Sequence, residues 1–459
     1  MNLKEQIEEF IEKNKFEIVS RTCDFIKIPS VNTKDNSGKP YGYECARALD
    51  YCDELCKEKN LFTKNYDYRC LEAMCNEKQT GKRLILATHA DVVPTTDGNI
   101  YDPFAGRVYG DYILGRGTVD DKGPLIASVY ALAFFKEYNI PLKNDVRLVF
   151  GSNEECGMDD MEYYLERAGQ PDWVLSADGD FPTDNGEKSK LSFTITAPKA
   201  KNVEFIRSYG TGQGLIHEYC EATINNINMT LVRTSAVPSW SHIDVNQGSE
   251  EEKSEESLEG ITNPTAYTIL YSIAPVYKNA EDEKHIKELL TDEDGTIMRI
   301  ACSDDIFGKS MFRVYKVETI GENIILSFDV RVPFGVDLND VVDKIKCYGE
   351  KNHLNIEIGK ISKGYYEKPE QEIVALLTDL YNKEMGLDEK PYVLTGGCTY
   401  TRLFNHGCGF GGGFRNEVKP FPSGHGSCHG LDEAHNIGVL FDAVKMFILG
   451  IKAIDDKWS

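Results

Sequence analysis

The chain has 459 residues, of which 27% are charged and 41% apolar, and its 74 acidic residues exceed its 51 Lys and Arg to give a formal net charge of −23. A negative surplus of this size repels phosphate backbones and anionic lipids, so we expect no nucleic acid and no membrane surface as a partner. The apolar content excludes a disordered acidic polymer, and the length fits two or three globular domains.

The first twenty residues predict an amphipathic helix. Apolar residues recur there at roughly helical spacing among charges: Ile7, Phe10, Ile11 and Ile18. No apolar run in this segment or later in the chain approaches the roughly 20 residues that a membrane span requires. We therefore expect no signal peptide and no transmembrane segment, and a cytoplasmic location.

The thirteen cysteines form no repeated Cys-x-x-Cys pair of the kind that holds structural zinc. Cys52 and Cys56 lie one helical turn apart, and with Cys70 and Cys75 they are the candidates for a thiolate site. Free cysteine is usually a small buried residue, so we favour reduced and mostly buried thiols over metal ligands.

Between residues 82 and 178, short apolar runs alternate with longer amphipathic ones. Strands are predicted for RLILATHADVV, DVRLVFGSNEE and DWVLSADG, and helices for GPLIASVYALAFFKEY and MEYYLERAG. Strands that are apolar throughout and separated by helices indicate a mostly parallel sheet with helices on both faces. The fold class predicted for this region is α/β.

Beyond about residue 185 the pattern changes. A polar strand, KLSFTITA, and an acidic stretch that we interpret as a solvated loop, GSEEEKSEESLEG, precede a helix and a strand near Asn279–Leu290 and Ile324–Val332. These elements predict a second α/β unit. Two further helices are predicted near the end of the chain, EIVALLTDLYNKEMG and VLFDAVKMFILGIKAI, with a Gly-rich tract between them.

Each of the three predicted strands in the first region ends in residues that bind metals or protons. The first ends in His89 and Asp91, the second in Glu154 and Glu155, and the third in Asp178. A histidine or a glutamate at one strand end is usually structural or solvated. In an open α/β sheet, however, the loops after the strands converge on one rim, so their joint occurrence predicts a shared site.

A fourth loop adds Asp120 and Asp121, which lie between glycines just before a helix. So many anions at one rim repel one another unless a cation joins them, which favours a metal site. Imidazole and carboxylate ligands suit zinc, with manganese and cobalt as alternatives. The second imidazole would come from a group near the C-terminus: His425, His429 or His435.

Six segments together resemble one known family. They are, in order, ATHADVVP, GRGTVDDKGP, GSNEECG, SADGDFP, GGCTYTR and HGLDE. Their order and spacing resemble the co-catalytic zinc peptidases, a family that includes peptidase V type dipeptidases, carnosinase, carboxypeptidase G, aminoacylase and succinyl-diaminopimelate desuccinylase. The likeness covers nearly the whole chain and is greatest for the peptidase V branch.

This resemblance implies a site for two divalent metal ions. Asp120 falls at the position of the carboxylate that bridges them, His89 and Asp178 complete one site, and Glu155 and His429 complete the other. His429 is preferred to its neighbour four residues earlier, His425, because the family ligand is followed after two residues by Asp-Glu, here Asp432 and Glu433.

The resemblance also assigns catalytic roles. Glu154 falls where the family has its general base, and Asp91 where a carboxylate orients the ligand His89. The implied reaction is hydrolysis of the amide bond of a dipeptide by a water that bridges two metal ions, with Glu154 carrying its proton to the leaving amine.

The resemblance is weaker for substrate-binding residues. Arg331 matches the lid arginine that holds the substrate carboxylate, although an exposed strand-edge arginine is the alternative interpretation. Thr399 and Tyr400 fall in the loop that resembles the backbone clamp for the same carboxylate. The lid histidine that stabilises the oxyanion aligns with Lys253, and His242 is the alternative donor.

We therefore expect a catalytic, metal-binding domain formed by residues 1–186 and 365–459, interrupted by an inserted α/β lid domain, residues 187–364. The expected protein is a monomeric metallo-dipeptidase that acts on small peptides. Two other hypotheses remain. One is a deacylase of N-acyl amino acids or succinyl-diaminopimelate. The other is a catalytically weak homologue that binds peptide without turnover because the lid histidine is missing.

Overall fold

A computed structural model describes most of the chain as two compact units. The described residues are 1–77, 80–95, 98–199, 203–209, 219–224, 227–232, 243–245, 289, 292–415, 417, 419–422 and 425–459. The first unit comprises residues 1–186 and 365–459, and the second comprises residues 187–364.

The described elements alternate between helices and strands in the first unit, and strands dominate the second. The helices are α1 (Leu3–Ile26), α2 (Tyr43–Glu58), α3 (Lys122–Glu137), α4 (Asp159–Ala168), α5 (Leu338–Lys351), α6 (Glu372–Met385) and α7 (Ile437–Lys457). The strands are β1 (Phe62–Tyr66), β2 (Cys70–Met74), β3 (Arg83–His89), β4 (Arg107–Tyr109), β5 (Tyr112–Leu114), β6 (Asp145–Gly151), β7 (Trp173–Ser176), β8 (Asp180–Phe181), β9 (Asp184–Glu187), β10 (Ser189–Pro198), β11 (Val203–Tyr209), β12 (Tyr219–Ile224), β13 (Ile227–Val232), β14 (Ile243–Val245), β15 (Ser303–Asp304), β16 (Gly308–Lys309), β17 (Met311–Ile320), β18 (Asn323–Val332), β19 (Asn355–Ser362), β20 (Tyr365–Tyr366), β21 (Tyr392–Leu394), β22 (Gly407–Gly409), β23 (Gly413–Phe414) and β24 (Ala434–Asn436). Among the described residues, none of the helices combines the length and apolar character needed to span a bilayer.

The main sheet of the first unit has the strand order β1-β2-β6-β3-β7-β22-β9-β20. Its central strands β6, β3, β7 and β22 run parallel to one another, whereas β1 and β2 at one side are antiparallel. The predicted α/β fold is confirmed, and the sheet is mixed, with parallel strands at its centre and antiparallel pairings on either side. The three strands chosen from the sequence for their polar ends are adjacent, and His89 pairs with Gly151 in register. Their carboxyl ends therefore lie at one rim.

The helices cover this sheet because their apolar faces pack against it in one hydrophobic core. The predicted N-terminal helix is confirmed as α1, which is capped by Asn2 and Glu5 and buries Phe10 against the ring of Phe134 in α3, with ring centroids 5.4 Å apart. Almost every residue of α3 is buried, as expected for a helix that lies between the sheet and other helices. This packing fixes the start of α3, which directly follows Asp120 and Asp121.

The second unit is built on an antiparallel sheet with the order β14-β13-β12-β11-β17-β18-β10-β19. Its apolar face packs on α5, where Val341 and Ile345 join the core around Phe193 and Phe328. The strand predicted at 324–332 is confirmed as part of β18. The acidic stretch 248–260, and all of the helix predicted near 279–290 except Leu289, fall outside the described residues.

The described cysteines are unpaired thiols, and most are buried. The Sγ of Cys70 lies 3.2 Å from the carbonyl oxygen of Asp160, and that of Cys75 lies 3.5 Å from that of Leu132. Residue groups with metal-binding geometry contain no cysteine within the described parts of the chain. The prediction of reduced, mostly buried thiols is therefore supported over that of a thiolate metal site.

Candidate active site

The carboxyl-terminal rim of β6, β3 and β7 gathers the polar residues that follow these strands. His89 is the last residue of β3, Glu154 and Glu155 follow β6 by three and four residues, and Asp178 follows β7 by two. Two groups at this rim have their potential ligand atoms within 4.8 Å of one another: His89, Glu154 and Asp178, and His89, Asp120 and Glu155.

Asp120 lies between two imidazoles. Its Oδ1 is 2.9 Å from Nε2 of His89, and its Oδ2 is 2.9 Å from Nε2 of His429. His429 comes from a loop more than 300 residues further along the chain. A carboxylate that presents each oxygen to a different imidazole has the arrangement expected of a ligand shared by two cations.

One further carboxylate accompanies each imidazole. Asp178 lies 3.9 Å from Nε2 of His89, measured to its Oδ2, and Glu155 lies 2.9 Å from Nε2 of His429, measured to its Oε1. The structure thus brings together all five residues that the resemblance implies as metal ligands. Asp120 contacts both imidazoles, whereas Asp178 lies near His89 and Glu155 lies near His429.

Burial makes this concentration of acidic groups unfavourable without a cation. Burial raises the pKa of Asp178, and the charge of Asp120 raises it further. Burial likewise raises the pKa of Glu154 and of Glu155. Burial alone would lower the pKa of His89, but its hydrogen bonds to Asp120 and Asp91 hold the pKa well above its usual value. A nearby cation would therefore stabilise the ionised form of these carboxylates.

The donor set fits a divalent metal. It consists of two imidazole nitrogens and several carboxylate oxygens, which are ligands of zinc and of similar ions. Buried Oε1 of Glu154 has no hydrogen-bond partner among the described residues. A buried oxygen that accepts no hydrogen bond is costly unless another group binds there, so the residues present suit a bound ion or a bound water.

Asp91 orients His89 and also holds the neighbouring loop. Nδ1 of His89 lies 3.0 Å from the backbone oxygen of Asp91 and 3.5 Å from its Oδ1. When Nδ1 donates to these oxygens, the lone pair of Nε2 is free to face a metal. The two carboxylate oxygens of Asp91 accept hydrogen bonds from the backbone N–H groups of Glu154 and Glu155, at 3.1 and 3.2 Å. The sequence did not predict this second role.

Glu433 holds the loop that carries Asp120, a role that sequence reasoning missed. Its carboxylate accepts hydrogen bonds from the backbone N–H groups of Gly117, Val119 and Asp120 and from the guanidinium of Arg116. The same arginine donates to the carbonyl of Gly430, beside His429. In the sequence, Glu433 serves only to identify His429 as the expected ligand. The groups that donate hydrogen bonds to Glu433 lie more than 300 residues earlier, so no local pattern indicates this role.

His425 forms a hydrogen bond with Asp432 and, in the described part of the chain, none with the residues of the site. Its Nδ1 lies 2.5 Å from Oδ2 of Asp432. The same carboxylate accepts the backbone N–H of Ile100 through Oδ2 and that of Tyr101 through Oδ1. His429, in contrast, faces Asp120 and Glu155. The geometry favours His429 over His425 as the second imidazole of the site.

His435, the third histidine of this group, lies in the core and predicts a pH dependence of stability. Its Nε2 lies 3.1 Å from the carbonyl oxygen of Gly412, and burial lowers the pKa of His435 from 6.5 to about 4. The unfolded chain therefore binds this proton more readily, and stability is lost as the pH falls from 6.5 to 4, by up to about 3 kcal/mol.

We expect His435→Gln to remove this loss. Chemical unfolding of the metal-free protein at pH 6.5 and pH 4 would measure it, with exposed His406→Gln as the matched control. Equal losses of unfolding free energy in His435→Gln and in the unchanged protein would contradict the prediction.

The predicted substrate-binding residues occupy two units of the structure. Thr399 begins a short 3₁₀ helix, Tyr400–Leu403, and its side chain accepts a hydrogen bond from the N–H of Thr401. Tyr400 is buried, and its hydroxyl donates to Asp160. Arg331, in the second unit, is buried on the interior strand β18 beside Asp329 and is not an exposed edge residue. Lys253 and His242 lie outside the described residues.

Imidazole and carboxylate groups gathered at the strand ends of an α/β sheet suit a catalytic metal centre. Residues 85–452 match the model of the peptidase family M20/M25/M40. The chain therefore belongs to this peptidase family, and the resemblance found in the sequence is confirmed.

Individual relatives agree with this assignment. The chain is 26% identical to the "Putative dipeptidase YtjP" of Bacillus subtilis, over 96% of this chain and 97% of that one. Its fold is similar to that of human carnosine dipeptidase 1, with a TM-score of 0.65 and 14% identity over 99% of both chains. It is also similar to the Bacillus subtilis YXEP protein, described as a dinuclear metal binding peptidase from the M20 family, with a TM-score of 0.53 and 9% identity over 96% and 98% of the two chains.

Proposed function

We propose that this protein hydrolyses the amide bond of dipeptides at a centre that holds two divalent metal ions. The position of Asp120 carries the proposal, because each of its carboxylate oxygens lies 2.9 Å from a different imidazole. The names of the relatives support dipeptides as the substrate class. We propose zinc as the metal, with manganese or cobalt as alternatives.

His89 and Asp178 would hold one ion, and Glu155 and His429 would hold the other. Asp120 would bind both ions. When bound, two ions of this kind acidify a water and polarise the scissile carbonyl. Asp91 keeps His89 in the tautomer that binds metal and fixes the backbone of the loop that carries Glu154.

Glu154 would be the general base. Its Oε1 is buried, has no hydrogen-bond partner within the described structure, and belongs to the same group of ligand atoms as His89 and Asp178. Burial raises the pKa of this carboxyl, which makes its carboxylate a stronger base. Glu154 would take a proton from the attacking water and deliver it to the leaving amine.

We propose that the first unit, residues 1–186 and 365–459, is the catalytic domain and that residues 187–364 form its lid. Arg331, with the backbone of Thr399 and Tyr400, would bind the substrate carboxylate. Lys253 or His242 would then supply positive charge or a hydrogen bond to the oxyanion. A cytoplasmic location and a monomeric state belong to the same proposal.

A panel of dipeptides and N-acyl amino acids, assayed with added zinc, manganese and cobalt, tests this function. Release of two amino acids from dipeptides would support it, and release of a carboxylic acid from N-acyl amino acids would favour the deacylase. Absence of hydrolysis of every substrate by fully metal-loaded protein would refute both enzymatic functions and leave the weak, peptide-binding homologue.

His429 and His425 offer a matched pair of variants for the metal centre. We expect His429→Gln to weaken the binding of one metal ion by at least about 100-fold, because it removes a direct ligand, whereas even a partner of a ligand is typically worth about 10- to 100-fold. His425→Gln, four residues away in the same loop, should leave metal affinity nearly unchanged. Calorimetric titration with zinc would measure both, and the reverse order of effects would show that His425 is the ligand.

A further inference from the structure

The loop that carries the proposed general base is held by two buried carboxylates. This base loop, residues 152–155, follows β6 and presents four consecutive backbone N–H groups. Asp160, in the first turn of α4, accepts the hydrogen bonds of Ser152 and Asn153 at 2.7 and 2.8 Å through its Oδ2. Asp91 accepts those of Glu154 and Glu155. Every backbone N–H of the base loop therefore donates to a carboxylate that is fully buried.

Tyr400 connects this arrangement to a distant part of the chain. Its hydroxyl donates to Oδ2 of Asp160 at 2.5 Å, the same oxygen that receives the N–H groups of Ser152 and Asn153. Tyr400 is 1% exposed, and its ring lies edge-on to that of His89 with centroids 6.5 Å apart. The side chain of Tyr400 therefore contacts both the candidate metal ligand His89 and Asp160, the residue that holds the base loop.

Gly151 shows how closely this pair is fitted to the end of β6. A Cβ added to Gly151 would lie 1.8 Å from the hydroxyl of Tyr400 and 2.5 Å from Oδ2 of Asp160. Such distances leave no room for any side chain other than hydrogen. Because Gly151, the last residue of β6, has no side chain, the hydroxyl of Tyr400 and the carboxylate of Asp160 can meet next to its backbone.

We propose that Tyr400 and Asp160 are positioning residues that set the backbone of the base loop and, through it, the carboxyl group of Glu154. The inference rests on the proposed function, because it takes Glu154 as the general base. A hydrogen bond from Tyr400 fixes the orientation of the Asp160 carboxylate. That carboxylate in turn fixes the two N–H groups that precede Glu154.

The test uses Tyr400→Phe, which removes the hydroxyl and keeps the ring, with Tyr164→Phe as the matched control. Tyr164 belongs to the same buried apolar cluster, and its hydroxyl also donates to a buried carboxylate, that of Glu72, at 2.7 Å. Glu72, however, pairs with Arg147. Both variants lose one buried tyrosine–carboxylate hydrogen bond, but only Tyr400→Phe affects the base loop.

We expect Tyr400→Phe to lower kcat on a dipeptide by about 10- to 100-fold with little change in KM, because a displacement of about 1 Å can cost about 100-fold in rate. Tyr164→Phe should keep kcat within about twofold. Equal kcat values for Tyr400→Phe and the unchanged protein would overturn the inference, and so would equal losses of kcat in the two variants.

Amide hydrogen exchange separates this inference from the proposed function. In a peptide that covers residues 151–157, Tyr400→Phe should speed exchange by about tenfold relative to Tyr164→Phe, as expected when one hydrogen bond to a charged group is lost. Unchanged exchange overturns the inference whether or not the protein hydrolyses dipeptides. If the protein hydrolyses no dipeptide but exchange accelerates, the proposed function fails while the positioning of the loop is supported.

Asp160→Asn provides an independent check on the pair. We expect it to lower kcat at least as much as Tyr400→Phe, since an amide cannot accept all the hydrogen bonds that the carboxylate accepts. In the double variant the losses should not multiply, because Tyr400 acts through Asp160. Multiplication of the two losses would show that Tyr400 acts separately and would overturn the inference.

Discussion

Glu154→Gln is expected to lower kcat on dipeptides by about 100- to 10,000-fold, the usual contribution of a general acid–base. Glutamine has nearly the same size as glutamate but cannot accept a proton from water and return it to the amine. The backbone N–H of residue 154 would still donate to Asp91, so the loop should keep its conformation. The loss should therefore fall on kcat, with metal content unchanged.

Glu155→Gln is the natural comparison, because it alters the neighbouring carboxylate in the same loop. Oε1 of Glu155 lies 2.9 Å from Nε2 of His429, so this variant should lose metal affinity. Steady-state kinetics and metal content per chain would distinguish the two variants. Near-normal turnover in Glu154→Gln would exclude Glu154 as the base, and loss of bound metal in that variant would mean that Glu154 is a ligand.

The sequence predicted the central part of the fold because the information there is local. Strands β3, β6 and β7 are short apolar runs bounded by turns, and their polar ends at His89, Glu154 and Asp178 follow directly from the chain. The rule that parallel strands end at one rim then placed these residues together. No long-range contact had to be known for this step.

The residues that sequence reasoning missed act through long-range contacts. Asp160 meets Tyr400 across 240 positions, and Glu433 meets the N–H of Asp120 across 313. Neither contact leaves a local pattern, because a buried carboxylate on a helix or after a turn looks like any exposed acidic residue in the sequence. For the same reason Tyr400 could be assigned to a substrate loop but not to the support of the base loop.

The net charge of −23 is unfavourable for polyanionic partners but does not indicate the site. What matters for function is where a few acidic residues are buried. Burial raises the pKa of Glu154, Glu155 and Asp178, and each of these groups becomes more favourable as an anion when a cation is nearby. Metal binding and ionisation of the site should therefore support each other.

Asp120→Asn is expected to abolish the binding of both metal ions, whereas loss of any other ligand should affect mainly one. The oxygens of Asp120 face both imidazoles, and the charges and hydrogen bonds of His429 and His89 hold its pKa well below the usual value despite burial. An amide carries no charge and has only one oxygen for two ions.

Thermal unfolding with and without zinc would measure this loss. Zinc at about 100 times its Kd stabilises a protein by about 2.7 kcal/mol, and that stabilisation should disappear in Asp120→Asn. Asp121→Asn is the matched control, because Asp121 lies next in the chain and accepts the backbone N–H of His89 at 3.2 Å, a hydrogen bond that an amide oxygen also accepts. Zinc stabilisation of Asp120→Asn equal to that of the unchanged protein would contradict the bridging role, since that role rests on the 2.9 Å distances from the two oxygens of Asp120 to Nε2 of His89 and of His429.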